Sequence, residues 1–530
     1  MASNLRTNRV SGDGCPLAWR RVRLVHPFFL AGVLLGLEAY AATINILPGN
    51  PYAYTNIESA RPGDQVLIAP GTYAFRVYLT QQATPANPII IRAQDPANPP
   101  VWDFGTTLVE NAKGSYTAGD RGRGGWQFSG AKNYSLSGVV FKNCRTASFN
   151  SAGIRYYNGT TNLYVKDCVF TQNDNGMTGG TQESAATVEF CEFAANGNTN
   201  ASAGAPTHNL YIYGGYFTLR YCYIHDPVQA QNFHIRSRSA VVEYNWVARA
   251  QSYEGDLMTD DDFTGPGPFS QSMTLRGNLF LQSAAPNNHG QEVAIFNDNG
   301  SISNLTLSVR AMFNTFIGNG GSTAFVHLSN ADRTRMTLEE SDNIIYGTTQ
   351  PYLVENAAFA TIAGQNNWLP LTASTAGLTG SVQSASPDFR SVSAKDFTLA
   401  PGSACIVAAS ASVYGLPGRE YYRNELTNRF WRIRAAARDI GAFESTTASS
   451  PIGPYDPVPL PLLSLAHASG AIAVTWPLFA ADFQLRQSDL AQPITWSAVG
   501  FPLSTSAAAI SVVVPAGSMK DFFRLEEFGP

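Results

Sequence analysis

LYVKDCVF (163–170), ATVEFCEF (186–193), FTLRYCYI (217–224), VVEYNWVA (241–248), MTLRGNLF (273–280) and RAMFNTFI (310–317) are variants of a single phrase. In each, apolar residues alternate as they do in a half-buried strand, and a Cys or Asn then occupies a fixed slot before the next apolar pair. Aligning that slot gives Val139, Cys168, Cys191, Cys222, Asn245, Asn278, Asn314 and Asn343, a recurrence of 23 to 36 residues. A repeat of that length marks a solenoid, array or propeller. The period-two alternation and the β-branched and aromatic content exclude a helical solenoid, and no propeller signature is present. The pattern predicts a parallel β-helix in which short strands from successive coils stack and the slot residues form inward ladders at a bend. Buried Asn can bond the next Asn and its backbone, while buried Cys acts as a small apolar filler.

Outward from the repeat, two further stretches carry a resemblance. IESARPGDQVLIAPGTY (57–73) resembles the opening coil of secreted right-handed β-helix proteins related to pectate lyases, with PGD turning into the first strand and PGTY closing it. DFTLAPGSACI (396–406) and RDIGAFE (438–444) resemble closing coils of the same group. The resemblance implies an all-β chain, a right-handed parallel β-helix over 42–445, and names no reaction. Residues 446–461, rich in Ser, Thr and Pro, are expected to be a linker, and the short alternating strands of 462–530 a small β-sandwich. The latter is similar to C-terminal modules of secreted bacterial proteins that end in FFRL.

At the other end, Arg20, Arg21 and Arg23 precede the apolar run Phe28 to Leu37 and an A-x-A site at Ala39, Tyr40 and Ala41. This is the pattern of a cleavable export signal over 1–41. The run is too short to span a bilayer, which needs about 20 apolar residues. Removing it leaves 30 basic against 37 acidic side chains, which argues against a nucleic-acid partner. A secreted or cell-surface protein is therefore expected, without a transmembrane anchor, probing an extracellular polysaccharide as a monomer. The five cysteines beyond the signal form neither a small disulfide scaffold nor a zinc motif.

Stacking also converts sequence into chemistry. With Ile212, Ile235, Leu257 and Ile295 as one inward row, alternation puts Tyr211, His234, Asp256 and Ala294 in one outward row and Tyr213, Arg236, Met258 and Phe296 in the next. Arg238 and Asp260 follow in the adjoining turn, and His208 and His225 are near in sequence. Rings that stack on sugars and charges that orient carboxylates or hydroxyls are what a polysaccharide groove needs.

HNLYIY (208–213), QNFHIRSR (231–238) and SYEGDL (252–257) resemble a subgroup of secreted β-helix proteins with the pattern HNIY, GHNxKSR and SYxID. The comparison puts Arg236 at a lysine position and Arg238 at the final arginine. Arginine gives up its proton far less readily than lysine, so Arg236 is a poorer base than the pattern implies. For β-elimination on a uronate, Arg238 can neutralise the carboxylate, Arg236 or His234 can abstract the proton, and a Tyr such as Tyr211 or a His can protonate the leaving oxygen. Tyr213, His208 and His225 are the candidate substrate-binding residues. Asp256, Asp260 and Asp261 could hold Ca²⁺. Asp256 with Asp260 or Asp261 would serve a glycoside hydrolase instead, although the NTD, DD and GHG set of β-helix pectin hydrolases is missing. A glycan-binding protein without catalysis is the third reading.

Overall fold

The computed structural model describes residues 41–105, 124–146, 149–201, 207–260, 267–284, 291–297, 304–410, 416–422, 429–434, 438–446, 449–468, 470–481, 483–488, 496–506, 509–515 and 522–527. The export-signal segment lies outside them apart from Ala41. Strands of successive coils pair in parallel along three faces. Face I stacks twelve strands from Thr43–Ile46 to Ala360–Ala363. Face II runs from Val77–Leu79 through Leu210–Tyr213, Phe233–Arg236 and Gly255–Met258 to Gln291–Phe296. Face III runs from Thr72–Tyr73 to Val382–Ser384. The long strands Thr315–Ser329 and Ile344–Val354 run through both II and III and join them. The chain is a right-handed parallel β-helix, the hand that parallel crossovers take almost without exception.

The slot residues lie at the bend between faces I and III, and every one is fully buried. The residue before each slot sits in the left-handed region: Gly138, Asp167, Phe190, Tyr221, Tyr244, Gly277, Phe313 and Asp342 have φ between 51° and 73°. That single reversed residue turns the chain by a corner and swings the next side chain inward. The ladder then closes by hydrogen bonds. The backbone N–H of Cys222 donates to Asn245 Oδ1, and the N–H and Nδ2 of Asn245 both donate to Asn278 Oδ1 at 3.1 and 3.0 Å. The same pair of bonds repeats from Asn278 to Asn314, from Asn314 to Asn343 and from Asn343 to Asn367, one rung beyond the predicted slot. Cys168, Cys191 and Cys222 are free and buried, and burial pushes the Cys168 and Cys191 thiols well above their ordinary pKa. Rings stack within the lumen beside them, with Phe141, Phe170 and Phe193 spaced 5.2 and 4.6 Å apart.

The opening coil follows its sequence reading. Asp64 of PGD accepts the N–H groups of Ala42 and Arg61, and the Tyr73 hydroxyl of PGTY donates to the carbonyl of Ala69. The helix Ala53–Glu58 packs Ala53 and Ile57 on the core at this end.

The far end departs from expectation. Parallel coils stop at Val382–Ser384, not at 445. Of the two stretches expected to close the solenoid, DFTL (396–399) pairs antiparallel with Phe389–Ser391, and RDIGAFE (438–444) forms no strand although Ile440, Ala442 and Phe443 are buried. Between them lies a further antiparallel pair, Arg419–Tyr421 with Trp431–Ile433. From there the chain runs back along the bend between faces I and III. Trp431 stacks on Tyr221 at 5.5 Å, and Arg429 donates to the carbonyl of Phe190, to Glu192 and to Asp167. The expected linker belongs to this strap as well: Ile452 pairs with Trp431, and the Lys166 ammonium lies 5.1 Å from the Tyr455 ring. The reason lies in the bend. Phe190, Tyr221 and Tyr244 project outward from it as a stacked aromatic strip, and such a strip is buried by whatever chain can reach it.

Beyond the strap, Ser464–Ala468, Ala471–Pro477, Leu503–Thr505 and Ala509–Pro515 form one antiparallel sheet, and Phe483–Ser488, Ser497–Ala498 and Phe522–Glu527 a second. Val474, Trp476, Leu485, Ile510 and Val512 fill this small sandwich and continue into a cluster with Phe313, Ile344 and Trp368 of the coils.

Candidate functional site

The register on face II brings the predicted rows together. Tyr211 pairs with His234, His234 with Asp256 and Asp256 with Ala294; Tyr213 pairs with Arg236, and Met258 with Phe296. The inward row Ile212, Ile235, Leu257 and Ile295 is wholly buried. Alternation does the rest, since a one-residue slip would exchange the two sets.

Across the outward face, three side chains form a line. His234 Nδ1 lies 3.2 Å from Asp256 Oδ2, and Arg236 Nε donates to His234 Nε2 at 3.0 Å. The tautomer follows from the partners: a proton on Nδ1 faces the carboxylate, and Nε2 offers its lone pair to the guanidinium. His208 stacks on His234 with ring centroids 4.9 Å apart, and Tyr211 stands edge-on to His234 at 4.7 Å. His208 is buried, and this, with His234 and Arg236 alongside, holds its pKa well below the usual histidine value. Its ring is therefore neutral across the neutral pH range. Its backbone N–H donates to Asn175 Oδ1 at 2.9 Å, which fixes the entry to the strand.

Two sites differ from the sequence reading. His234, Arg236 and Asp256 point outward yet are at most 9% exposed, because they pack on one another and on their neighbours instead of standing in solvent. His225 belongs to face III, in the strand Tyr223–His225, and does not join the group. It lies 2.7 Å from Asp226 and 3.4 Å from Glu192, stacked on Tyr223. Burial alone would lower its pKa, but those two carboxylates hold it above the ordinary value. Arg238 is half-buried in the turn after Arg236, and Asp260 is buried, its N–H donating to Gln271 Oε1. Asp261 lies outside the described residues. Among the described residues no three His, Cys, Asp or Glu groups converge as a metal site.

A second ladder, which the sequence reading missed, supports the site from behind. Asn173, Asn196, Asn209 and Asn232 are linked by Nδ2 donation to the next Oδ1, each at 2.9 Å. Asn232 Nδ2 then donates to Glu254 Oε2 at 2.7 Å. The intervals of 23, 13 and 23 residues hid the repeat, because two rungs come from one widened turn. Glu254 stands where a further Asn would be, next to Gly255 and Asp256. Burial pushes its pKa up to about 8 against the N–H donors of Ala250, Asn232 and Ser283.

The folded protein thus holds a proton on Glu254 that the unfolded chain releases above its ordinary value of 4.5. Between those two values the native state binds more protons than the unfolded state, so this group lowers stability as pH rises, and the loss levels off above about 8. Glu254→Gln should remove that slope whatever its effect on absolute stability. Denaturant melts of both proteins across this pH range check it, and parallel slopes would contradict the assignment.

No family model and no curated protein matches the chain. Solved structures similar to it include an alginate lyase from Paenibacillus sp. str. FPU-7, at 16% identity over 65% of this chain and 99% of that one, TM-score 0.38. Pectate lyase Pel9A is similar at 14% identity over 76% and 96% of the two chains, TM-score 0.47. A mannuronic acid specific polysaccharide family 6 lyase from human gut microbiota is similar at 14% over 65% and 78%, TM-score 0.39. Likeness at this level bears on no activity, and the fold rests on the strand pairing itself.

Proposed function

We propose that the protein binds an acidic, uronate-containing polysaccharide along face II and cleaves it by β-elimination outside the cell. The observation that carries the reading is the line Asp256, His234, Arg236, which anchors a guanidinium on an outward face beside Arg238 and two tyrosines. The proton α to a uronate carboxylate is acidic only when the carboxylate charge is offset, and two guanidinium groups offset it. His234 has both ring nitrogens engaged, so its role here is to fix Arg236. Proton transfer then falls to Tyr211. Its phenolate takes the α proton as the electron pair moves into the new carbon–carbon double bond and the bond to the leaving oxygen breaks; the phenol returns that proton to the oxygen. A hydrolytic pair is less well supplied, since Asp256 is committed to His234. Asp256 and Asp260 are the carboxylates that would hold a Ca²⁺ ion, whose charge would help to offset the uronate carboxylate.

Among the described residues no helix is long and apolar enough to cross a membrane, which is compatible with an exported protein. The experiment is a screen of polyuronates and glycosaminoglycans, with and without chelator, for the near-ultraviolet absorbance of an unsaturated uronate. Absorbance should rise on at least one substrate. New reducing ends without that absorbance would replace elimination by hydrolysis, and binding without either would leave a glycan-binding protein.

A further inference from the structure

Beyond Asp256 the outward side of face II changes character. Ala294 pairs with His327 and Phe296 with Ser329, so both outward rows continue for another coil, and Glu355 follows Ser329 by alternation. The Ser329 hydroxyl donates to Glu355 Oε1 at 3.1 Å, the Ala331 N–H donates to Oε2, and His327 Nε2 lies 3.2 Å from Oε1. Phe296 lies between two rings, 5.6 Å from Tyr253 and 6.1 Å from His327. His327 is three coils from His234, about 14 Å at the usual strand spacing.

The two ends of these outward rows differ in charge. Towards the N-terminal coils the row continues through Thr178 and Arg155 to Gln127, and Arg155 lies over the Tyr157 ring at 5.9 Å. Past Arg236 the described positions of the two rows are Asp256, Ala294, His327 and Leu353, and Met258, Phe296, Ser329 and Glu355, none of them Lys or Arg. His327 supplies no cation either: burial holds its pKa below the ordinary value despite the Glu355 carboxylate. Burial first, and the charges of Asp256 and Glu355 after it, push the Tyr253 hydroxyl up to about 12. Along the described positions of the two rows here, a uronate would meet the Glu355 carboxylate and no Lys or Arg.

We infer that Phe296, Tyr253, His327 and Glu355 form a subsite for a sugar unit without a carboxylate. The inference rests on the uronate reading of the neighbouring site. An aromatic face stacks on a pyranose ring, and Glu355 accepts hydroxyl or amide hydrogens. The preferred polymer then alternates uronate with uncharged or N-acetylated amino sugar, so that a carboxylate reaches Arg236 while its neighbour rests on Phe296.

Calorimetry at low temperature with two hexasaccharides tests this, one a homopolymer of uronate and the other alternating uronate with N-acetylhexosamine. The wild-type chain should bind the alternating probe at least tenfold more tightly. Phe296→Ala should lose about tenfold on that probe and little on the homopolymer, whereas Glu355→Gln should gain severalfold on the homopolymer by removing a like charge. Thermal melts confirm that each variant is folded. Equal affinity for the two probes, or a Phe296→Ala protein with an unchanged ratio, overturns the subsite and leaves the uronate site standing. No binding of either probe overturns both.

Discussion

Replacing Arg236 with Ala should lower the rate of uronate cleavage by about 10²- to 10³-fold, the usual cost of removing one fixed donor from a developing anion. The reason is positional as well as electrostatic. Arg236 is held by His234, which is held in turn by Asp256, so the guanidinium is fixed before substrate arrives. Arg236→Lys keeps the charge but lacks the planar Nε–H directed at His234 Nε2, and should recover only part of the rate. His234→Ala should act through Arg236, lowering kcat more than it raises KM. Initial rates on the substrate found by the screen, with melting curves to confirm folding, give the measurement. Full activity in Arg236→Ala and His234→Ala alike would remove this face from consideration.

The second large effect is on stability. Asn278→Ala should cost about 3–4 kcal/mol, near the upper end for a single substitution. Asn278 accepts from the N–H and Nδ2 of Asn245, and donates to Asn314 Oδ1 and to the carbonyl of Val242. All of these groups are buried, so truncation leaves donors and an acceptor unpaired with no water at hand. Cys191→Ala on the same ladder should cost less, because the thiol makes only weak sulfur contacts, accepting from the Cys168 N–H at 3.4 Å and donating to the Glu189 carbonyl at 3.2 Å. Denaturant titration of both variants checks the contrast, and equal losses would mean that the rung matters for volume alone.

The fold was legible because one feature recurred at every coil. A slot residue must face inward after a left-handed corner, so Cys or Asn recurs there from Cys168 to Asn343, and the face II register followed once one inward row was chosen. Burial of the site was not legible. Alternation assigns a side, and only the packing of His208, Tyr211 and His234 decides whether water reaches that side. His225 was misplaced because nearness in sequence is a poor guide in a coil, where a few residues carry the chain around a corner onto another face. The second Asn ladder escaped because its period is uneven. The closing segments misled for another reason: DFTL has strand-like composition, which does not distinguish a parallel rung from an antiparallel pair, and the apolar residues of RDIGAFE are buried without forming a strand.

The returning strap has a consequence for how this protein can evolve. Solenoids commonly grow or shrink by duplicating or losing a unit, since each unit answers only to its neighbours. Here Arg429 must reach Asp167 and Glu192 while Asp439 and Ser410, further back, hold Val407 and Asp342. The strap therefore measures the distance between early and late coils, and one inserted coil would leave it a rung short. An added coil between these anchors would therefore require a strap longer by the same rise.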